Sequence, residues 1–234
     1  LMCYGAMYVS NYIGLILTQL ISILKGSPVT NTMLEVATSS NLWVNLFIMV
    51  LCAPVAEELI FRKLLIDRLA QYGEGVAVLF SGLMFGLFHG NLNQFVYAFV
   101  LGLCFGFIYV KTGNIRYTIG LHMLVNFLGS VLGVAILKWL GDDFLSIASD
   151  PAGMMSYMTG NFGKLIVYFI YIFLLLGVAI AGIILFIVNL KKIRFLPGMN
   201  TLPKGKRFST TVLNVGMALY MIVWIVIIIV QLFQ

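Results

Sequence analysis

Two glutamates and two histidines lie in apolar stretches of this sequence, where ionisable side chains are costly. Glu57 and Glu58 are the only members of the eight acidic residues that lie within an apolar run, and His89 and His122 are the only histidines. Burying an ionisable group in a membrane helix costs roughly 2.5–3.5 kcal/mol on insertion scales, so these residues are candidates for function. A carboxylate can act as the base that activates a water molecule, and an imidazole can hold that water or take its proton. These residue types predict hydrolytic chemistry.

Helical spacing indicates which of these side chains point together. Residues four apart share a helix face, so Glu58 and Arg62 can form an ion pair that leaves Glu57 on an adjoining face. His122 and Asn126 have the same spacing and should also point together. Asn can donate a hydrogen bond to an oxygen on which negative charge develops, which is a second requirement of amide hydrolysis.

The positions of these groups along the chain predict that they converge. Glu57 lies 16 residues before Gly73 and His89 lies 16 residues after it. If the two helices form an antiparallel hairpin, equal rise per residue places both groups at the same depth. His122 lies six residues past Arg116, which is roughly 9 Å along the next helix. The sequence therefore predicts one shared polar pocket.

The amino-acid composition indicates that these groups lie in a protein whose surface mostly faces lipid. The chain has 234 residues, of which 62% are hydrophobic and 9% are charged, whereas a soluble domain carries roughly a quarter charged residues. Continuous apolar runs of about 20 residues predict membrane-spanning helices. We expect an all-α, polytopic membrane helix bundle of about seven to eight transmembrane helices, forming a single integral-membrane domain over residues 1–234 with a motif-bearing core at about 42–138. The predicted spans are 4–24, 42–72, 75–91, 94–110, 115–138, 163–190 and 211–233.

Two further sequence features bear on these helices. Pro54 removes a backbone hydrogen bond just before the glutamates, and a bend there would admit water. The sequence begins with Leu1 rather than Met, which is consistent with a further helix before it.

The basic residues predict the topology. They crowd the connection 191–207, and counting back through the helices puts the turn 72–75 and the loop 111–116 on the same side. The loops 25–41 and 139–163 fall on the opposite side, and the second carries Asp142, Asp143 and Asp150. The positive-inside rule makes the basic side cytoplasmic. We expect a multi-pass protein of the cell membrane, the plasma membrane in a bacterium, with membrane lipid as a partner.

Three short motifs occur in order on successive predicted helices. They are EExxxR, FxxxH and HxxxN, and here they read Glu57-Glu58-Leu-Ile-Phe-Arg62, Phe85-Gly-Leu-Phe-His89 and His122-Met-Leu-Val-Asn126. Each motif alone is weak, but the ordered set resembles the CAAX-protease and bacteriocin-processing (CPBP, Abi) family of intramembrane glutamic endopeptidases. The family core has about eight helices, so one is either absent from this sequence or uncounted.

The resemblance implies a role for each motif residue. Glu57 matches the general base that activates a water, and His89 matches the histidine that helps to hold and deprotonate it. His122 and Asn126 resemble the groups that stabilise the oxyanion. The remaining motif residues, Glu58 and Arg62, match a supporting pair that orients the site, although the residues alone are equally consistent with a purely structural ion pair.

A catalytic zinc site is the alternative interpretation of the same residues. Two histidines and a carboxylate are the ligand set of several catalytic zinc sites. The HExxH pattern is absent, however, and the candidate ligands come from three separate helices. We therefore expect no metal and no other cofactor, with zinc-dependent hydrolysis as the alternative mechanism.

The sequence leaves two classes of function open. The first is an endopeptidase that acts near the cytoplasmic face on a membrane-associated peptide, such as a prenylated C-terminus, a leader-bearing peptide or a signalling-peptide precursor. The second is a membrane protein without enzymatic activity, either a transporter that uses Glu57 and the histidines as a proton relay or a bacteriocin-immunity protein. The net charge of +6 does not indicate a nucleic-acid partner, because half of the fourteen basic residues lie near helix ends or in one loop. The sequence does not indicate an oligomeric state.

Overall fold

Helices form almost all of the regular structure in the computed structural model, which describes residues 1–141, 144–200, 203–206, 209–210 and 213–233. In chain order the main helices are α1 (Met2–Lys25), α2 (Thr32–Ser39), α3 (Leu42–Tyr72), α4 (Glu74–Phe88), α5 (Leu92–Thr112), α6 (Ile115–Leu140), α7 (Phe144–Ala148), α8 (Pro151–Lys192) and α9 (Val215–Leu232). Within the described residues no strand is present, and six helices are long and apolar enough to cross a membrane: α1, α3, α5, α6, α8 and α9. The predicted all-α membrane bundle is confirmed.

The helix α4 is shorter than the predicted span 75–91. It has 15 residues, which is about 22 Å and less than a full crossing. The turn that follows lies inside the bundle, where Gly90 is buried with a φ of 66° and a Cβ atom added to it would lie 3.4 Å from Trp224 of α9. Backbone groups in such a turn must find partners inside the protein. Asn91 supplies one, because its side chain accepts a hydrogen bond from the backbone N–H of Gln94 at 2.8 Å and so caps α5.

A close crossing holds α4 against α5. A Cβ atom added to Gly102 would lie 2.7 Å from the Cα atom of Gly82, and one added to Gly82 would lie 2.9 Å from Leu103 Cδ2. Glycine therefore allows the two backbones to approach closely, as is common between helices in membranes. This crossing fixes α4, and the motif residues on it, relative to the rest of the bundle.

The helix α3 is widened on both sides of the glutamates. The stretches Asn45–Cys52 and Leu59–Ile66 are π-helical, and the α-helical turn Ala53–Glu58 lies between them. Long π-helical stretches are rare and occur mostly at functional sites. Pro54 itself lies in the α-helical turn between the two stretches, and the bend predicted there stays a prediction.

Two segments that were predicted to be loops contain helices. The helix α2 lies within 25–41, and α7 and the first turns of α8 lie within 139–163. The helix α8 begins early because Asp150 accepts hydrogen bonds from the N–H groups of Ala152 and Gly153, with a proline in the first turn. Hydropathy missed these turns because they are polar, and Asn161 breaks the helical geometry close to the predicted start of the span. Asp142 and Asp143 lie outside the described residues.

Three connections meet at one end of the bundle. The backbone N–H of Glu74 donates to the carbonyl oxygen of Leu196 at 3.1 Å, and the N–H of Leu196 donates back to the Glu74 carboxylate at 2.8 Å. Lys111 forms an ion pair with the same carboxylate. The turn after α3, the end of α5 and the segment after α8 therefore share one side, as the counted topology predicts.

Candidate active site

All four residues predicted to be catalytic line one cavity of about 450 Å³. The residues are Glu57 of α3, His89 at the end of α4, and His122 and Asn126 of α6. Helices α1, α2, α5 and α8 complete the wall, mostly with apolar side chains that include Met7, Leu15, Met33, Leu34, Leu101 and Leu175. The sequence-predicted convergence of these four positions is thus present in the structure.

The Glu58–Arg62 pair is fully buried beside this cavity. Arg62 Nε lies 2.9 Å from Glu58 Oε2 and Nη2 lies 3.1 Å from Oε1, so the pair is bidentate. The remaining Arg62 Nη1 donates to Ser81 Oγ of α4 at 2.8 Å, and the guanidinium lies 4.8 Å from the Phe85 ring centroid. Both side chains have no exposed surface, and buried charges persist only when they are paired and hydrogen-bonded in this way.

His122 connects this ion pair to Glu57. Its Nδ1 lies 3.1 Å from Glu58 Oε1, and its Nε2 lies 3.6 Å from Glu57 Oε2. Glu58 Oε1 already accepts a hydrogen bond from Arg62 Nη2, so Nδ1 acts as the donor to it, which leaves Nε2 facing the second carboxylate. The 3.6 Å separation is longer than a direct hydrogen bond, so Glu57 is left able to bind another group. Glu58 therefore orients the imidazole, and the imidazole reaches towards Glu57.

His89 is held by its own helix. Its Nδ1 lies 2.8 Å from the carbonyl oxygen of Phe85, and because a carbonyl only accepts, Nδ1 must be the protonated nitrogen. The neutral ring therefore has an unprotonated Nε2 that can accept a hydrogen bond. Edge-on contact with the Phe85 ring, at a centroid distance of 4.9 Å, further restricts the imidazole. Glu57 and His89 thus both bring hydrogen-bond acceptors to the cavity.

Asn126 has a tethering contact that its spacing did not predict. Its Nδ2 donates to the carbonyl oxygen of Met49 at 2.7 Å, which joins α6 to the first π-helical stretch of α3. One of its two amide hydrogens is thereby engaged. The second hydrogen is the one left for the oxyanion role that the motif implies, and that role stays a prediction.

Sequence reasoning missed a chain of polar side chains at the start of α5. Asn91 Nδ2 donates to the carbonyl oxygen of His89 at 3.2 Å and also to Gln94 Oε1. Gln94 Nε2 then donates to Tyr97 Oη at 2.9 Å, and Tyr97 lines the cavity. The available signal was a group of carboxamides and a tyrosine within eight residues of the motif histidine, in an otherwise apolar segment.

The described residues do not present a metal-ligand set. Among them, no group of three or more His, Cys, Asp or Glu side chains is arranged to hold a metal ion. His122 turns Nδ1 towards one glutamate and Nε2 towards the other, an arrangement suited to hydrogen bonding. The expected absence of a metal and the zinc alternative both stay predictions, and we derive no step through a metal.

The fold and the cavity define a polytopic membrane protein with a buried site built from carboxylate, imidazole and carboxamide groups. Residues 39–128 match the family described as type II CAAX prenyl endopeptidase Rce1-like. This segment contains all three motifs, so the motif-bearing part of the chain is similar to this family. The resemblance inferred from the motifs is confirmed.

Two curated relatives agree with this assignment. The chain is 26% identical over 153 residues to the membrane-embedded CAAX protease MroQ of Staphylococcus aureus (strain USA300), a match that covers 62% of this chain and 59% of the relative. It is 32% identical over 74 residues to a protein of Bacillus subtilis (strain 168) described as a membrane peptidase, YdiL, covering 31% of this chain and 30% of that protein. The matches thus span about three fifths of the first relative and less than a third of the second. No solved structure gives a significant match.

Proposed function

We propose that this protein is an intramembrane endopeptidase that hydrolyses a peptide bond of a membrane-associated peptide with a water activated by Glu57. The observation that carries the proposal is that the motif residues from three separate helices line one cavity, with His122 3.6 Å from the Glu57 carboxylate. The family match over residues 39–128 supports the same class of reaction.

The reaction begins with a water bound between acceptors. Glu57 and the unprotonated Nε2 of His89 each accept a hydrogen bond from water, which turns the water's oxygen towards the substrate. Glu57 then takes one proton as that oxygen attacks the carbonyl carbon of the scissile bond. The carbonyl oxygen becomes an oxyanion, and the second amide hydrogen of Asn126 stabilises it. His122 would add a donor through Nε2 only as an imidazolium, because its Nδ1 hydrogen is engaged by Glu58.

The second half of the reaction returns the proton. The protonated Glu57 donates to the amide nitrogen, the carbon–nitrogen bond breaks, and the products are a carboxylic acid and an amine. The water supplies the hydroxyl group of the acid and the hydrogen of the amine, so the atoms balance. The ion pair of Glu58 and Arg62 acts through His122, because Glu58 holds the ring by Nδ1.

The depth of His122 in α6 supports substrate entry from the basic side of the membrane. His122 is the eighth residue of α6, which is roughly 10 Å from the end at which α5 and α6 connect. The positive-inside rule assigns that end to the cytoplasm. The apolar wall of the cavity favours a peptide with a hydrophobic or lipidated segment, such as a prenylated C-terminus, a leader-bearing peptide or a signalling-peptide precursor.

A peptide panel tests the proposal. Purified protein in lipid nanodiscs is given three fluorogenic peptides: a farnesylated peptide that ends in a CAAX sequence, the same peptide without the lipid, and an amphipathic leader peptide. We expect the wild type to cleave at least one of them and Glu57→Gln to lose about 10²–10⁴-fold in rate.

The matched control is Glu35→Gln, which alters an exposed acid in the first turn of α2 and should leave cleavage unchanged. Equal cleavage by the wild type and Glu57→Gln would contradict the proposal. Proton transport that depends on Glu57, without cleavage of any peptide, would favour the transporter alternative.

A further inference from the structure

The N–H groups of the motif residues are largely engaged before a substrate arrives. Nδ1 of His122 faces Glu58, and Nδ1 of His89 donates to a carbonyl of its own helix. One amide hydrogen of Asn126 donates to a carbonyl of α3. An oxyanion in a water-poor site is best stabilised by donors that are already oriented. The cavity therefore needs a further donor besides the second hydrogen of Asn126.

The hydroxyl group of Tyr97 has a hydrogen to donate in this cavity. Gln94 Nε2 donates to Tyr97 Oη at 2.9 Å, so the tyrosine oxygen acts as the acceptor in that bond. Within the described part of the chain, no other side chain or backbone group forms a hydrogen bond with this hydroxyl. A phenol can donate one hydrogen bond while it accepts another. The hydroxyl hydrogen of Tyr97 therefore remains available to donate to a substrate.

The Tyr97 side chain is held both at its ring and at its hydroxyl group. Its ring packs against the cluster formed by Phe61, Phe85 and Ala98. The Phe85 ring in that cluster also lies 4.9 Å from the His89 ring and 5.6 Å from the His122 ring, between centroids. One aromatic side chain thus contacts both imidazoles and belongs to the cluster that supports the tyrosine.

A hydrogen-bond chain orients the hydroxyl end. Asn91 donates to the carbonyl oxygen of His89 and to Gln94 Oε1, which leaves Gln94 Nε2 to bind the tyrosine oxygen. Because the chain starts at the backbone of His89, it ties the tyrosine hydroxyl to the residue that holds the attacking water. A hydroxyl that is held in place costs little reorganisation during the reaction.

We propose that Tyr97 is a catalytic residue whose hydroxyl donates a hydrogen bond to the scissile carbonyl oxygen of the substrate. The bond strengthens as that oxygen becomes an oxyanion, and no proton is transferred from the phenol. Gln94 is a positioning residue that acts through Tyr97. This inference rests on the proposed endopeptidase function and adds a donor to it.

Tyr97→Phe tests the proposal because it removes only the hydroxyl. We expect kcat to fall about 10²–10³-fold with KM nearly unchanged, as for the loss of one oxyanion donor. Tyr157→Phe is a matched control that should leave kcat unchanged, because Tyr157 is not part of the cavity wall and its hydroxyl donates to the carbonyl oxygen of Leu140. Gln94→Met keeps the tyrosine but removes its orienting donor, and should give an intermediate loss of kcat.

Inhibition by a tetrahedral phosphonamidate analogue of the cleaved peptide distinguishes a catalytic role of Tyr97 from a purely structural one. Its Ki should rise in Tyr97→Phe by the same factor by which kcat/KM falls, while the affinity for an uncleavable ground-state peptide stays constant. A wild type that cleaves no panel peptide would contradict the proposed function itself. If the wild type cleaves and Tyr97→Phe has the same kcat as Tyr157→Phe, or an unchanged Ki, the role of Tyr97 alone is overturned.

Discussion

Nε2 of His122 lies 3.6 Å from Oε2 of Glu57. The imidazole cannot turn away from this carboxylate without breaking the bond between its Nδ1 and Glu58. The buried pair of Glu58 and Arg62 therefore sets the geometry of the residue that we propose as the general base, although neither member lines the cavity.

Replacement of Glu58 should be costly for both stability and rate. Glu58→Gln leaves the Arg62 charge buried without its counter-charge, and breaking such a pair typically costs about 3–5 kcal/mol. It also weakens the hold on His122, so kcat should fall. The measurements are denaturant unfolding in detergent and cleavage of the panel peptides.

The control for this variant lies on the same helix. Lys63 and Asp67 form an ion pair with the same four-residue spacing, but their side chains are 57% and 40% exposed. Lys63→Met should leave the free energy of unfolding nearly unchanged, because water screens an exposed ion pair. Equal effects of Glu58→Gln and Lys63→Met would show that the burial of the first pair has no energetic consequence.

The crossing of α4 and α5 should not tolerate a methyl group. In Gly102→Ala the new Cβ would lie 2.7 Å from a backbone atom of Gly82, which cannot move aside as a flexible side chain would. We expect destabilisation of about 1–3 kcal/mol from overpacking, together with reduced cleavage because α4 positions His89.

Gly120→Ala is the matched substitution in α6. Among the described residues, no atom lies within 4 Å of the Cβ position there, apart from the two adjoining residues and the helix's own backbone. Since alanine is favoured over glycine in a helix by roughly 0.5–1 kcal/mol, this variant should be neutral or slightly more stable. Thermal unfolding of Gly102→Ala and Gly120→Ala, measured in parallel, tests the close crossing of α4 and α5. A Gly102→Ala variant as stable as the wild type would contradict that close crossing.

Asn126 should contribute to both stability and rate. Asn126→Leu removes the donor to the Met49 carbonyl, and an unpaired buried carbonyl costs about 1–3 kcal/mol. Tyr97→Phe, by contrast, should lower kcat while leaving the unfolding midpoint nearly unchanged. A fall in kcat without any loss of stability in Asn126→Leu would show that the Met49 contact is unimportant.

Metal chelation tests the zinc alternative. We expect cleavage by the purified protein to persist after treatment with EDTA and with 1,10-phenanthroline, because no step of the proposed mechanism uses a metal. Elemental analysis of the same sample supplies the control. Stoichiometric zinc, with activity lost on chelation and restored by added zinc, would support the alternative.

The sequence predicted the features that follow from the cost of charge in lipid. Hydropathy located the membrane helices, and the few ionisable groups inside them identified the polar cavity, because a buried charge persists only where it finds partners. Helical spacing also predicted the pair of Glu58 and Arg62. These inferences depend on local pattern and on burial energies, both of which a single sequence contains.

Other features depend on tertiary contacts that no local pattern encodes. The polar first turns of α8 resemble a loop until Asp150 is seen to cap them. The tether from Asn126 to Met49 requires the register of α6 against α3. The orientation of Tyr97 requires a chain of three side chains that crosses the turn between α4 and α5, so a tyrosine in an apolar segment could not be distinguished from a packing residue.

The most direct test of the central claim, that Glu57 and His89 hold the same water, is a double-mutant cycle on single-turnover cleavage. The variants are Glu57→Gln, His89→Phe and the combination of the two. Groups that act on one water as a unit are strongly non-additive, so the double variant should be no slower than the slower single variant. Rate losses that multiply in the double variant would show that the two residues act independently, and would contradict the account.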